Sequence, residues 1–175
     1  MFIFFFQSNA FAECNFLLKI GDKKSKKFVE KFSEPISRSK GLFWMPVSTS
    51  KLCPNEKLHA GILVEYSFLD EKKNINLAEI NMTVYNDVKN TISNNLILMN
   101  YAKKVYGDFD TGFNPRAYNN FYIWDKGQNR VTYTRFINQE KIIKEGLNIT
   151  NKEYSIKLDK HYNQLEMEML KDNEN

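Results

Sequence analysis

The stretch Phe121-Tyr122-Ile123-Trp124-Asp125-Lys126-Gly127-Gln128-Asn129-Arg130-Val131-Thr132-Tyr133-Thr134-Arg135-Phe136 reads as a β-hairpin. Phe121 to Trp124 is a run of aromatic and β-branched residues, Asp125 to Asn129 has turn chemistry, and Val131 to Phe136 returns with period two. Alternation along a strand places Phe121 and Ile123 on one face, Tyr122 and Trp124 on the other. One face must cover a core. The other then presents Tyr122, Trp124 and Tyr133 beside Arg130 and Arg135, residue types favoured where proteins meet partners. The competing reading is that helices or a dimer partner cover both faces and these aromatics are core.

Upstream of the hairpin, Ser93 or Asn94 can cap a helix in which Leu98, Tyr101, Ala102 and Val105 recur at three- and four-residue spacing, and Gly107 ends it. A loop holding Pro115 links this helix to the hairpin. Downstream, strands are expected at Ile142 to Ile149, across Gly146, and at Tyr154 to Leu158. The tail fits two patterns: Leu158, Tyr162, Leu165 and Met169 make a helical stripe, whereas Leu165, Met167 and Met169 alternate as a strand.

The first half of the chain runs through a similar order. Asp22 or Ser25 can cap a short helix with Phe28, Val29 and Phe32 on one face, and Glu34-Pro35 stops it. Gly41 to Leu58 carries Pro46, Pro54 and Ser48-Thr49-Ser50 and reads as a long loop. Ala60 to Leu69 and Ile80 to Val84 are strand signals joined by the polar turn Asp70 to Asn74. Both hairpin turns have an Asp-x-x-x-Asn frame. The expectation is an α+β fold with helices packed on antiparallel sheet, arranged as two tandem helix-plus-sheet units over residues 13–90 and 91–175.

The opening of the first helix, Ile20-Gly21-Asp22-Lys23-Lys24-Ser25 to Phe32-Ser33-Glu34-Pro35, resembles that of SmpA/OmlA-type outer-membrane assembly proteins and of the β-lactamase-inhibitor-like fold. In those families a Gly, a short helix and a Leu-Gly-x-Pro ending lead into an antiparallel sheet. Here Ser33 stands in place of the Gly, and the second helix keeps Gly107 but has Phe109 where the Pro would be. The resemblance implies helices on one face of a curved sheet whose other face can bind a protein partner. It carries over no functional residue.

Composition bounds the function. The chain has 175 residues, 42% hydrophobic and 26% charged, enough for a real core. Its net charge is only +4, and its cations are 21 Lys against 4 Arg with no run longer than a pair, so a nucleic-acid stripe is not expected. No apolar run approaches the roughly 20 residues of a membrane-spanning helix.

Met1 to Phe6 reads M-F-I-F-F-F and leads to Ala10-Phe11-Ala12, a small-x-small ending, so residues 1–12 are expected to be a signal peptide and the mature chain periplasmic or secreted. The alternative is an apolar N-terminal strand in the core. In an oxidising compartment the two cysteines, Cys14 and Cys53, are expected to form a disulfide that pins the mature N-terminus.

Chemical motifs are sparse. Asp110-Thr111-Gly112 resembles the Asp-Thr-Gly of aspartic proteases, whose chemistry needs a second such carboxylate from another motif or a homodimer, but Tyr106-Gly107-Asp108-Phe109 precedes it in place of an apolar strand and a bulky Phe113 follows it, so a helix-ending turn is the favoured reading. Asp108 and Asp110 also suit calcium, yet Asn119 occupies the place of the bidentate Glu. His59 and His161 lack a nucleophile pattern, although Asp159 and Glu166 lie near the latter. Asn81-Met82-Thr83 and Asn148-Ile149-Thr150 match glycosylation sequons within strand-like runs. No phosphate loop or metal-ligand spacing occurs, so neither cofactor nor metal is expected. Two function classes follow: a module that binds a partner protein or envelope component through an aromatic sheet face, or a small envelope hydrolase assembling carboxylates from Asp108, Asp110 and Glu65.

Overall fold

The computed structural model describes residues 14–53, 61–72, 74–87, 96–111 and 120–173. The turn holding His59, the Ser93 or Asn94 cap, the Pro115 loop and the expected signal peptide lie outside them. Helices α1 (Lys26–Phe32), α2 (Thr49–Leu52), α3 (Ile97–Tyr106) and α4 (Lys152–Asn173) accompany strands β1 (Ile36–Ser39), β2 (Leu42–Ser48), β3 (Leu63–Glu71), β4 (Asn74–Asp87), β5 (Asn120–Lys126), β6 (Asn129–Ile137) and β7 (Ile142–Asn151). The strands form one seven-stranded antiparallel sheet in the order β1-β2-β3-β4-β7-β6-β5. Two meanders, β2-β3-β4 and β5-β6-β7, thus meet through their last strands, and each follows a helix.

The Ser25 and Gly107 signals operate as read, whereas α3 starts at Ile97 with Leu96 in the cap position in place of the expected Ser93 or Asn94. The Ser25 hydroxyl accepts the Phe28 N–H at 3.2 Å, Phe28 and Phe32 are buried, and Ser33 ends α1. Gly107 ends α3 at φ +80°, a conformation that favours Gly, while its N–H donates to the Lys103 carbonyl at 2.9 Å.

Helices α1 and α3 and the segment from Cys14 to Ile20 cover one face of the sheet. Its core side chains include Val64, Tyr66 and Phe68 of β3, Ile80, Met82 and Val84 of β4, and Leu147 and Ile149 of β7. Cys14 and Cys53 are joined, which ties the start of the described chain to the end of α2 beneath this core.

Two expectations are corrected. Gly41 to Leu58 is not one long loop, because Leu42 to Ser48 pairs along β3. Pro46 is tolerated because β1 stops opposite Trp44, which leaves that part of β2 on an edge where a missing N–H breaks no ladder bond. Tyr154 to Leu158 is not a strand but the first part of α4. The Asn151 side chain accepts the Tyr154 N–H at 2.8 Å and starts the helix, and Tyr154 and Leu158 then pack on Leu42, Leu69 and Ala78. The ambiguous tail is likewise helical, through Asn173.

Candidate functional site

The sheet face opposite α1 and α3 is only partly covered. Helix α4 crosses one end of it, held by a polar clamp in which Glu71 accepts from the Tyr154 hydroxyl at 2.6 Å and pairs with Lys157 at 2.5 Å. These partners hold the Glu71 carboxyl down at about 2. Among the described residues no other helix covers this face.

Register places its side chains in rows. Leu63, Thr83, Gly146, Thr134 and Phe121 align across β3, β4, β7, β6 and β5. Gly146 fits because a Cβ there would lie 2.7 Å from the Thr134 hydroxyl. The next row is Glu65, Asn81, Asn148, Thr132 and Ile123, and in the other direction Tyr85, Lys144 and Phe136 align. Leu63, Tyr85, Phe121 and Phe136 are 59%, 55%, 56% and 44% exposed. Beyond the Leu63–Phe121 row, on the side away from Tyr85 and Phe136, lies a polar cluster: Asn81 and Asn148 donate to the two oxygens of Glu79 at 2.9 and 2.8 Å, and Asn148 also donates to the Asn81 amide oxygen at 2.8 Å. The two sequon asparagines thus meet on one surface. This arrangement of Leu63 and three aromatic rings beside a hydrogen-bonded amide cluster suits recognition.

The aromatic residues expected on that face are elsewhere. Tyr122, Trp124 and Tyr133 are fully buried on the opposite face, and Arg135 is 1% exposed there. The expectation that they form an exposed recognition surface is corrected in this respect: the parity of the alternation was right and the choice of face was not. Phe109, carried past the end of α3, packs on both the Tyr122 and Trp124 rings, and the Trp124 indole N–H donates to the Gly107 carbonyl at 2.8 Å. Of the five expected binding residues only Arg130 keeps partial exposure on the open side.

Arg135 lies opposite Glu145 in the β6-β7 register, and both are buried. Glu145 caps α3 from the neighbouring strand: its Oε2 accepts the Leu98 N–H at 3.2 Å and the Tyr133 hydroxyl at 3.1 Å. Burial raises the Glu145 carboxyl above its ordinary value, against the pull of Tyr133, the α3 amides and Arg135. This cluster is built into the core and anchors α3.

The carboxylates considered for hydrolysis do not converge. Asp108 pairs with Lys103 at 3.1 Å, and Asp110 accepts the Asp125 N–H at 2.6 Å. Asp110 and Thr111 also bridge to the Ile123 backbone, so the Asp-Thr of the protease-like string covers the outer edge of β5. Glu65 stands on the open face of β3, on the other side of the sheet from α3. His161 lies 3.5 Å from the Ser39 hydroxyl at the β1 end of α4. Among the described residues no group of three or more His, Cys, Asp or Glu could hold a metal ion, and no helix is long and apolar enough to cross a membrane.

A separate groove of about 770 Å³ runs between the Cys14 to Ile20 segment and α3, with Ile80 and Ile149 as its floor and Tyr101 and Tyr106 along one wall. Its rim carries Lys19, Gln128, Asn129 and Asn151 and no carboxylate. Comparison with protein-family models, with curated proteins and with solved structures found no match.

Proposed function

We propose that this chain is an extracytoplasmic binding module that engages a partner protein or envelope component through the open face of its sheet. One observation carries the reading: Leu63, Tyr85, Phe121 and Phe136 remain half-exposed together on one face, while α1, α3 and the Cys14 to Ile20 segment pack on the other. Aromatic side chains lose little conformational freedom on contact and add large area, which makes such a patch an economical interface. The Cys14–Cys53 disulfide and the leader-like Met1 to Ala12 stretch support an oxidising, periplasmic or secreted setting. Two tandem helix-plus-meander units, with the resemblance to SmpA/OmlA-type and β-lactamase-inhibitor-like proteins, belong to the same proposal. The separation of Asp108, Asp110 and Glu65 lends the hydrolase alternative no support.

The test is partner capture by the tagged chain from envelope extract of its own source, compared with Phe121→Glu and Phe136→Glu. Both positions are exposed, so both variants should melt within a few degrees of the parent and lose the captured species. Equal capture by the two variants would overturn the assignment of this face.

A further inference from the structure

We infer that the occupant of the open face is a second copy of this chain, each protomer laying the free end of its α4 on its partner's Tyr85–Lys144–Phe136 patch. The inference rests on the reading of that face as a binding surface and names its partner. Helix α4 starts beside the end of β7 and crosses the sheet toward β1. Four strand spacings of about 4.8 Å separate β7 from β1, roughly 19 Å, which a helix covers in about 13 residues. His161 beside Ser39 of β1 marks the arrival at the outermost strand. The helix nevertheless continues to Asn173, so about 13 Å of it runs on past the sheet.

This free end is an apolar arm. The stripe that docks through Leu158 continues at helical spacing as Tyr162, Leu165 and Met169, and Met167, Met169 and Leu170 are 56%, 64% and 54% exposed. A few turns of helix without tertiary packing are marginal in water, so the arm gains order by docking.

Charge selects the docking site. From Tyr162 to Leu170 the arm's charges are Glu166 and Glu168, and the sheet patch is centred on Lys144, whose ammonium lies 5.8 Å from the Tyr85 ring centroid and whose register neighbour is Phe136. An acidic and apolar arm thus faces a basic and aromatic patch. Arm and patch belong to one chain, so reciprocal exchange across a two-fold axis covers both and closes at two protomers. Tyr162, Met169 and Leu170 of the arm with Tyr85 and Phe136 of the patch, at roughly 100 Å² each, amount to about 500 Å² per copy, or about 1,000 Å² in all, the area at which a specific interface begins.

The test is sedimentation velocity of the full chain from low to high micromolar concentration, with parallel radical footprinting of Tyr85, Phe121 and Phe136. The wild type should dimerise. Phe136→Glu, a stop after Gln164, and Glu166→Lys/Glu168→Lys should each weaken the dimer by about tenfold or more, and adding Lys144→Glu to the double reversal should recover most of that loss. Circular dichroism of each variant checks that it is folded. A wild type that stays monomeric overturns the inference, and so does a dimer that needs the arm but ignores Phe136→Glu, since the arms would then pair with each other. For a monomeric chain, protection of the three aromatics by envelope extract leaves the open-face reading standing. No protection removes that reading too.

Discussion

Replacing Trp124 by Ala tests which way the sheet faces. The ring is fully buried, packs edge-on against Phe109 with centroids 5.8 Å apart, and donates its N–H to the Gly107 carbonyl at 2.8 Å. Truncating such a side chain costs about 3–5 kcal/mol through lost transfer energy and the cavity left behind. For a chain of this length each kcal/mol moves the melting temperature by about 2–4 °C, so Trp124→Ala should melt roughly 12 °C below the parent. Trp124→Phe keeps most of the apolar area and orphans the Gly107 carbonyl, which costs about 1–2 kcal/mol, or roughly 3–6 °C. Phe121→Ala, three residues away on the open face, should shift the midpoint by no more than about 2 °C. Thermal melts followed by circular dichroism under non-reducing conditions measure all three. A Trp124→Ala midpoint within about 3 °C of the parent would refute the assignment of this face to the core.

Arg135 and Glu145, buried opposite each other, give a second expectation: Arg135→Met removes an attraction that lowers the Glu145 carboxyl and should reduce stability in urea unfolding, and Arg135→Met/Glu145→Leu should recover most of that loss. Reducing the Cys14–Cys53 bond should add two hydrogens by mass and remove about 4 kcal/mol on the chain-entropy estimate, and two free thiols in periplasm-purified protein would contradict the bridge. Glu71 supplies a pH signature. Its carboxyl is held down at about 2 against an ordinary 4.5, so its contribution to docking α4 is complete above pH 4.5 and fades as the pH falls toward 2. Protection of the amides in the first turns of α4, taken relative to the intrinsic exchange rate at each pH, should fall across that window, and Glu71→Gln should show the lower protection at neutral pH with the window removed.

Local chemistry determined much of this protein before any packing was known. The Ser25 cap, the Gly107 stop and the Asp125 to Asn129 turn act within a few residues, and strand alternation fixed which side chains travel together, so Tyr122 with Trp124 and Phe121 with Ile123 were legible. The pairing of Cys14 with Cys53 followed from their being the only two cysteines. What the sequence could not decide was non-local. Both faces of β5 and β6 are aromatic or β-branched, and nothing in the alternation says that Phe109 and α3 will close over Tyr122 and Trp124. The Pro46 segment looked like a loop because the end of β1, which makes a proline harmless there, is set by pairing across the sheet. Arg135 looked like a surface cation because its partner Glu145 lies on the next strand, and Tyr154 looked like strand because its cap, Asn151, ends a strand itself. A sequence displays the period of a pattern and the local hydrogen bonds of its turns. Which face of that pattern is dry depends on which distant elements cover it, and only the tertiary structure sets that.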